Sequence, residues 1–503
     1  MPDSFLPDGS LCRADLLQNR YSRHTRDRVL LPPSSWAFGE SFGTTTDRRT
    51  PTEHDRDRVL YTSHFQRLQG VTQVVSPHSH GSLFHNRLIH SLKVASLAKA
   101  IANNQLRAAR DDEGLRDSIL HWGGLDATAC ETAGLAHDIG HPPFGHAAES
   151  LLDGWLKDGG EDPLAIDGFE GNAQSFRAIT NLERREVSSR GLELTTVTLA
   201  AVLKYPWLRV EGDPKRGPKF GAIRADVGIL DSARGWTEAA NLTPLTQSLE
   251  ASIMDIADDI TYAVHDLQDF ITAGVIATEK VKNLLYKLHG YVGAMISAEA
   301  DGREPSAPET DLASFVDKLK KAKKFYPSFF DLKTYRDAVH RAIGTLDGLT
   351  PELASSQPMA RMRSQSSQLI AELVDSVRIA EPRQQAELGD QPRVYLEPAA
   401  WHLVQVLKDV TKAFVVETPR MGLHQEAQLD SLTALLDRLD AWVLKKSPYN
   451  LPPRLVAYLA RRESEDEQAH RRRAIVDFCC SLTDAEAHIM SLQLRGIEVP
   501  SVS

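Results

Sequence analysis

The stretch from Ala136 to Glu149, Ala-His-Asp-Ile-Gly-His-Pro-Pro-Phe-Gly-His-Ala-Ala-Glu, constrains the fold more than any other part of the chain. Ala127 to Ile139 reads as a helix. Gly140 and Pro142-Pro143 must break it, because proline has no N–H to continue the hydrogen-bond ladder. A helix end is therefore followed by a tight turn, and His137, Asp138, His141, His146 and Glu149 all fall in that short span. Packing alone does not account for such a density of imidazole and carboxylate. His137 and Asp138 are adjacent, so on a regular helix they diverge by about 100° and share an ion only if it sits over the edge between them. The pair offers one nitrogen and one oxygen ligand, and the remaining ligands must come from elsewhere.

Two further sources stand out. His90 begins a helix striped with Leu92, Val94, Ala95, Leu97, Ala98 and Ile101. Asp258 and Asp259 lie in an otherwise apolar helical pattern, where an unpaired buried carboxylate is costly. Asp258, Tyr262 and Asp266 fall at i, i+4 and i+8 on one helix face, with room for a ligand at one end and polar substrate contacts beyond it. A lone histidine is most often structural, and a charged run is most often a wet surface. Two histidines with two carboxylates, however, differ from a thiolate-rich structural zinc site. Such a set leaves coordination positions for water and phosphate oxygens, so that the ion polarises a phosphoryl group or lowers the pKa of water. Arg87, three residues before His90, and Arg67 offer guanidinium forks that match phosphate oxygens. A general base must work near neutrality, the range of imidazole side chains, and His146 is suited, with Glu149 three residues on to orient its ring; His141 either shares that work or holds the phosphate chain.

The rest of the chain reads as mainly α. With 42% hydrophobic and 25% charged residues among 503, there is material for a large core, and wholesale disorder, collagen and disulfide scaffolds are excluded. Four cysteines without a CxxC pair suit a reducing, cytoplasmic setting, and neither a signal-like N-terminus nor a run of 18 apolar residues is present, so no membrane is expected. The net charge of −10 argues against a surface dedicated to nucleic acid, although local basic patches remain open. Helices are expected over 167–205 and 248–268, after Thr278, over 369–385, 397–412 and 427–445, and as a final pair within 471–494. Basic loop residues occupy 208–225, and small polar residues predict excursions at 293–311 and near 349–368.

These motifs carry a resemblance. His90, the His137-Asp138 doublet and Asp258 look like the four metal ligands of the HD superfamily of phosphohydrolases. The likeness is closest to the bacterial deoxyguanosinetriphosphate triphosphohydrolases, and a vertebrate dNTP triphosphohydrolase with a sterile-alpha-motif domain shares the same core. It rests on Arg67-Leu68-Gln69, Thr72-Gln73-Val74, His85-Asn86-Arg87 through Leu92, the 137–149 stretch, Phe169 to Gln174, Leu203-Lys204-Tyr205-Pro206 and Asp258 to Asp266. These run in the family's order over about 45–275, with a weaker echo at Asp477 and Leu482-Thr483-Asp484. Phe169 stands where the vertebrate relative has a histidine proposed as general acid, which leaves His146 for that work.

The resemblance implies an HD-domain helical fold with a few short strands and additional helical lobes. A charged segment at 1–60 would lead into an HD core at 61–290, then a flexible, basic helical insertion at 291–368 and a C-terminal helical region at 369–503. It implies hydrolysis of a dNTP, dGTP or a broader set, to deoxynucleoside and inorganic triphosphate, in the service of nucleotide-pool control. One divalent ion (magnesium, manganese or iron) would be held by His90, His137, Asp138 and Asp258. His146, Glu149 and His141 would be catalytic, and Arg67, Gln73, Arg87, Lys204, Tyr262 and Asp266 would bind substrate. It further implies a homo-oligomer, a hexamer first, with single-stranded DNA or a dNTP as effector; Lys318–Lys324, Arg336 and Arg341 are the candidate effector surface. Two alternatives are an HD nucleotidase or phosphodiesterase acting on another nucleotide, and a catalytically silent nucleic-acid-binding or regulatory HD protein.

Overall fold

A computed structural model describes residues 5–6, 8–24, 29–30, 41–42, 45–73, 86–186, 189–325, 329–350, 357–445 and 450–498. Val74, His85 and part of the charged segment at 1–60 lie outside these residues. The described chain is mostly helical, and its strands are short antiparallel pairs, including Leu11–Cys12 with Gly124–Leu125 and Val377–Ile379 with Val394–Leu396.

The centre is built from α1 (Pro51–Leu60), α2 (Arg87–Asp111), α3 (Ala127–Ala136), α4 (His146–Lys157), α5 (Gly171–Arg177), α6 (Thr196–Val202) and α7 (Leu249–Ile260). α2 starts where Asn86 accepts the Ile89 N–H, and it buries Val94, Ala95, Ala98, Ile101 and Ala102. α3 is almost wholly buried, and its Ala127, Ala129, Cys130 and Ala133 are small enough for neighbours to close on every side. At the crossing of α2 and α3 a Cβ on Gly134 would lie 2.6 Å from the Ala95 Cα, so glycine sets the approach of these two helices. That approach brings the first turn of α2, with His90, to the end of α3, with His137.

The second half comprises α8 (Thr278–Ala300), α9 (Ala313–Phe325), α10 (Leu332–Leu349), α11 (Pro358–Asp375), α12 (Pro398–Thr411), α13 (Pro419–Leu444), α14 (Glu467–Cys479) and α15 (Asp484–Leu494). Val292, Phe315, Val339 and Leu403 join Ile101, Ile253 and Ile260 in one continuous apolar core. A second core packs Ala148, Leu152 and Leu156 of α4 against Leu432 and Leu436 of α13, Ile475 and Val476 of α14, and Ala487 of α15. The C-terminal helices thus bear directly on the helix that begins with His146.

Several local expectations are corrected. The excursion expected at 293–311 begins only after Ala300, because Met295 and Ala298 remain buried on α8. The gap near 349–368 is filled from Pro358 by α11, which has a proline in its first turn. The helix expected over 369–385 stops at Asp375 and gives way to the strand Val377–Ile379, whose buried–exposed–buried alternation matches β periodicity. The helix at 248–268 is interrupted by a π turn at Thr261–Asp266, and the one at 167–205 by a π turn at Ala178–Leu182 and a loop before α6. Of the basic run, Lys323 pairs with Glu299 at 2.9 Å and Lys318 lies 3.7 Å from Glu417. Among the described residues no helix is long and apolar enough to cross a membrane.

Candidate active site

Three stretches distant in sequence converge. His90 projects from the first turn of α2, His137 caps the C-terminus of α3 with Asp138 following it, and Asp258 sits near the end of α7. His90 Nε2 lies 3.1 Å from Asp258 Oδ1, and His137 Nε2 lies 3.8 Å from the same oxygen and 3.5 Å from Asp138 Oδ2. An ion with ligands at about 2.1 Å requires ligand–ligand edges of roughly 3.0 Å in an octahedron and 3.4 Å in a tetrahedron. The observed separations therefore fit a single divalent cation.

The protonation pattern fits as well. His137 Nδ1 faces the Gly134 carbonyl at 2.8 Å, which places an N–H there and turns Nε2 toward the carboxylates. That Nε2 is buried and has no hydrogen-bond partner among the described residues. Asp266 is fully buried behind His90, 3.2 Å from Nδ1. Burial disfavours the charged form of His90, but Asp266 and Asp258 together lift its pKa to about 10. Burial also opposes ionisation of Asp138, yet Arg87, His137 and His141 hold its carboxyl well below the usual range. Asp258 is held low in the same way, against burial, by Lys204 and His90. Lys204 Nζ reaches Asp258 Oδ2 at 3.0 Å and Asp255 at 2.7 Å, which leaves Asp258 Oδ1 to face the imidazoles.

Beyond these four residues a polar chain leads outward. His141 Nδ1 is 3.1 Å from Asp138 Oδ1, its Nε2 is 3.4 Å from Glu149 Oε1, and the same oxygen is 2.6 Å from His146 Nδ1. Burial and the neighbouring Arg87 push His141 down to about 3, so the ring is neutral. Burial would raise Glu149, but the hydrogen bond from His146 and the nearby Lys219 ammonium bring it to about 2. Since a carboxylate only accepts, His146 Nδ1 carries the proton, and Nε2 of this 68% exposed side chain is open to a reacting group. Lys219, from the basic 208–225 loop, bonds Glu170 at 2.8 Å and lies 3.7 Å from Glu149.

The intervening turn is held from several sides. Gly140 approaches α5 so closely that a Cβ would lie 2.0 Å from the Ser175 amide nitrogen. Ser175 Oγ accepts the Gly140 N–H and donates to the His137 carbonyl at 2.7 Å. Phe144 adopts φ +69°, a conformation a bulky residue holds only when its surroundings enforce it. Arg87 donates Nη1 to Asp138 at 2.7 Å and Nε to the Thr72 carbonyl, while Nη2 is buried without a partner among the described residues. Arg67 is buried behind the turn, donating to the carbonyls of Leu482 at 2.8 Å, Ile139 at 3.1 Å and His141. Gln73 Oε1 is buried and has no partner among the described residues. Tyr262 lies half-buried on the π turn, its phenol pushed upward by burial, Asp266 and Asp258. The sequence reading assigned no role to Ser175, Lys219 or Asp255, and it held Thr72 and Glu170 only as parts of the family motifs. Only the basic loop around Lys219 left a local signal; the rest depend on distant partners.

These features define a metal-dependent hydrolase of the HD superfamily. The HD domain model matches residues 87–175, which carry Arg87, His90 and the whole 137–149 turn, and the phosphohydrolase-associated domain model matches residues 394–490. A deoxyguanosinetriphosphate triphosphohydrolase-like protein of Corynebacterium efficiens is 32% identical over 461 residues, covering 90% of this chain and 92% of the relative. One from Streptomyces coelicolor is 30% identical over 463 residues, covering 89% and 93%. A Caulobacter relative of the same description is 36% identical over 237 residues, 47% of this chain and 50% of the relative. The chain belongs to the deoxyguanosinetriphosphate triphosphohydrolase-like family.

Proposed function

We propose that this enzyme hydrolyses a 2′-deoxynucleoside triphosphate, dGTP foremost, to the deoxynucleoside and inorganic triphosphate. The observation that carries the reading is the gathering of His90, His137 and Asp258, with Asp138 next to His137, beside an Arg87 nitrogen that has no partner among the described residues and an outward-facing carboxylate–imidazole pair. The relatives' description names the nucleotide. One divalent ion (magnesium, manganese or iron) held by His90, His137, Asp138 and Asp258 supplies Lewis-acid polarisation of a phosphoryl oxygen and favours ionisation of water.

The chain's own residues do the rest. Arg87 Nη2 has an uncommitted donor for a phosphate oxygen, and Lys204 and Lys219 add positive charge on the other flanks. Water attacks the α-phosphorus, the bond from phosphorus to O5′ breaks, and O5′ takes a proton. His146 Nε2 is the group free to move that proton, while Glu149 orients the ring and stabilises its cation. The His141 ring lies between Asp138, at 3.1 Å, and Glu149, at 3.4 Å, and so spaces the acid–base pair from the ligands. Tyr262 and Gln73 read the sugar: a 2′-hydroxyl placed against the ring of Tyr262 would clash or lose its hydrogen bonds. Asp266, buried behind His90, orients that ligand.

A panel of dNTPs and rNTPs with magnesium, manganese and iron, with both products identified, tests the reading. Deoxynucleoside with intact triphosphate is expected, and orthophosphate or a nucleoside monophosphate would overturn it. The reading also takes the enzyme as a hexamer stimulated by single-stranded DNA or a dNTP. Light scattering of the purified protein, and turnover with each effector at two salt concentrations, test that part.

A further inference from the structure

Asp484 is the first residue of α15 and is buried, far from the metal ligands in sequence. Its carboxylate is not used by its own helix, whose cap is Thr483, paired reciprocally with Glu486. Instead Oδ1 accepts the N–H of Phe144 at 2.9 Å, and Oδ2 accepts both the N–H of Thr72, at 3.0 Å, and its hydroxyl. Each recipient matters to the site. Phe144 is the strained residue at φ +69°, two positions before His146, and Gly145 between them is also left-handed at φ +67°. The Thr72 carbonyl receives Arg87 Nε, and Arg87 in turn holds Asp138. A Cβ at Gly145 would lie 3.4 Å from both the Thr72 oxygen and Arg87 Nη2, so the residue after Phe144 sits close to the Thr72 carbonyl and to Arg87.

The neighbouring backbone makes the same connection. The Leu482 carbonyl accepts Arg67, whose other terminal nitrogen reaches the Ile139 and His141 carbonyls. At Gly70 a Cβ would meet Thr483 at 2.8 Å, so the 482–484 corner is seated closely against the 67–72 segment. A buried carboxylate that accepts three donors is well satisfied, and replacing it by an amide puts an NH₂ group against donors at one of its two oxygens.

We propose that Asp484 is a positioning residue for catalysis. Through it the C-terminal helical region fixes the Phe144–Gly145 turn, and with it the distance from the His146–Glu149 pair to Asp138, which Arg87 holds. The inference rests on the phosphohydrolase reading above. A shift of about 1 Å at a reacting group costs on the order of 100-fold in rate, and loss of an outer-shell partner commonly costs about 10- to 100-fold.

The test compares Asp484→Asn with Thr483→Ala, which removes the cap of the same helix and leaves the carboxylate in place. Turnover of dGTP, binding of Mn²⁺ by calorimetry, the melting temperature, and deuterium exchange of peptides covering 140–148 are read on the full chain. For D484N, kcat should fall about 10- to 100-fold, with KM changed less than threefold and exchange across 140–148 accelerated. For T483A, the melting temperature should fall at least as far, with kcat within about twofold of the parent and exchange at 140–148 unchanged. If D484N keeps the parent kcat, or both variants lose kcat in step with stability, the proposal is overturned. Exchange is independent of substrate identity. If the parent released no triphosphate, the functional reading would fail, while unchanged exchange in D484N would still refute the positioning role on its own.

Discussion

Gly171→Ala separates catalysis from stability at a single atom. Gly171 begins α5, and a Cβ there would lie 2.8 Å from His141 Nε2, 2.9 Å from Cε1 and 3.0 Å from Cδ2. Ordinary contacts are about 3.5–4.0 Å, so ring and helix must part by roughly 0.6–1 Å. The helix has little freedom to yield: Glu170 accepts the N–H groups of Asn172 and Ala173, and Ser175 is bonded to both Gly140 and His137. The ring therefore moves, and its 3.4 Å approach to Glu149 is lost. Overpacking costs about 1–3 kcal/mol, offset by about 1 kcal/mol from replacing glycine in a helix. The net loss is then on the order of 0–2 kcal/mol, a small change in melting temperature. Turnover should fall about 100-fold, with Mn²⁺ affinity within a few-fold of the parent because His141 is not in the ligand set. Calorimetric metal titration, thermal melts and product release, measured on one preparation, check this. Parent-like turnover in a well-folded G171A would refute the role given to His141.

Other expectations follow from the same geometry. In R87K one ammonium cannot serve both Asp138 and the Thr72 carbonyl, so Mn²⁺ affinity should fall about 10- to 100-fold; unchanged calorimetric affinity would count against the clamp. G134A forces a methyl group against the Ala95 backbone and should cost about 2–3 kcal/mol together with metal affinity, read from urea midpoints and titration. Asp126 is fully buried, and burial, with Asp8 next in effect, raises its carboxyl from 3.8 to about 6. The folded state therefore keeps a proton that the unfolded chain releases, so this group's stabilisation is complete below about pH 4 and is lost as pH rises to about 6, by on the order of 2–3 kcal/mol. D126N should abolish that component, and identical differences between urea midpoints at pH 4.5 and 7 in both proteins would contradict it.

The site was legible wherever its chemistry is local. The 137–149 stretch announces itself because a helix stop, two prolines and five titratable residues are contiguous, and the pairing of His146 with Glu149 follows from their i, i+3 spacing. The stripe on α2 fixed which face His90 shares with the core. What stayed hidden depends on partners remote in sequence. Asp484 reads as one more acidic residue in a helix's first turn until Thr72 and Phe144 are seen against it. Arg67 reads as a phosphate ligand until the carbonyls of Leu482, Ile139 and His141 are found around it. The π turn at Thr261–Asp266 has no breaker residue, so Tyr262 and Asp266 read as one face of a regular helix, although Asp266 is buried against His90. Polar composition misled at 293–300 and 358–368, because a few buried side chains suffice to hold a helix whose other faces are wet.

Crystals grown with Mn²⁺ and examined by anomalous scattering test the central claim most directly. The account predicts one strong peak about 2.1 Å from His90 Nε2, His137 Nε2 and one oxygen each of Asp138 and Asp258. The other two groups able to gather an ion among the described residues, His141–His146–Glu149 and Asp255–Asp258–Asp259, should be empty. A peak at either of those, with none between His90 and His137, would contradict it.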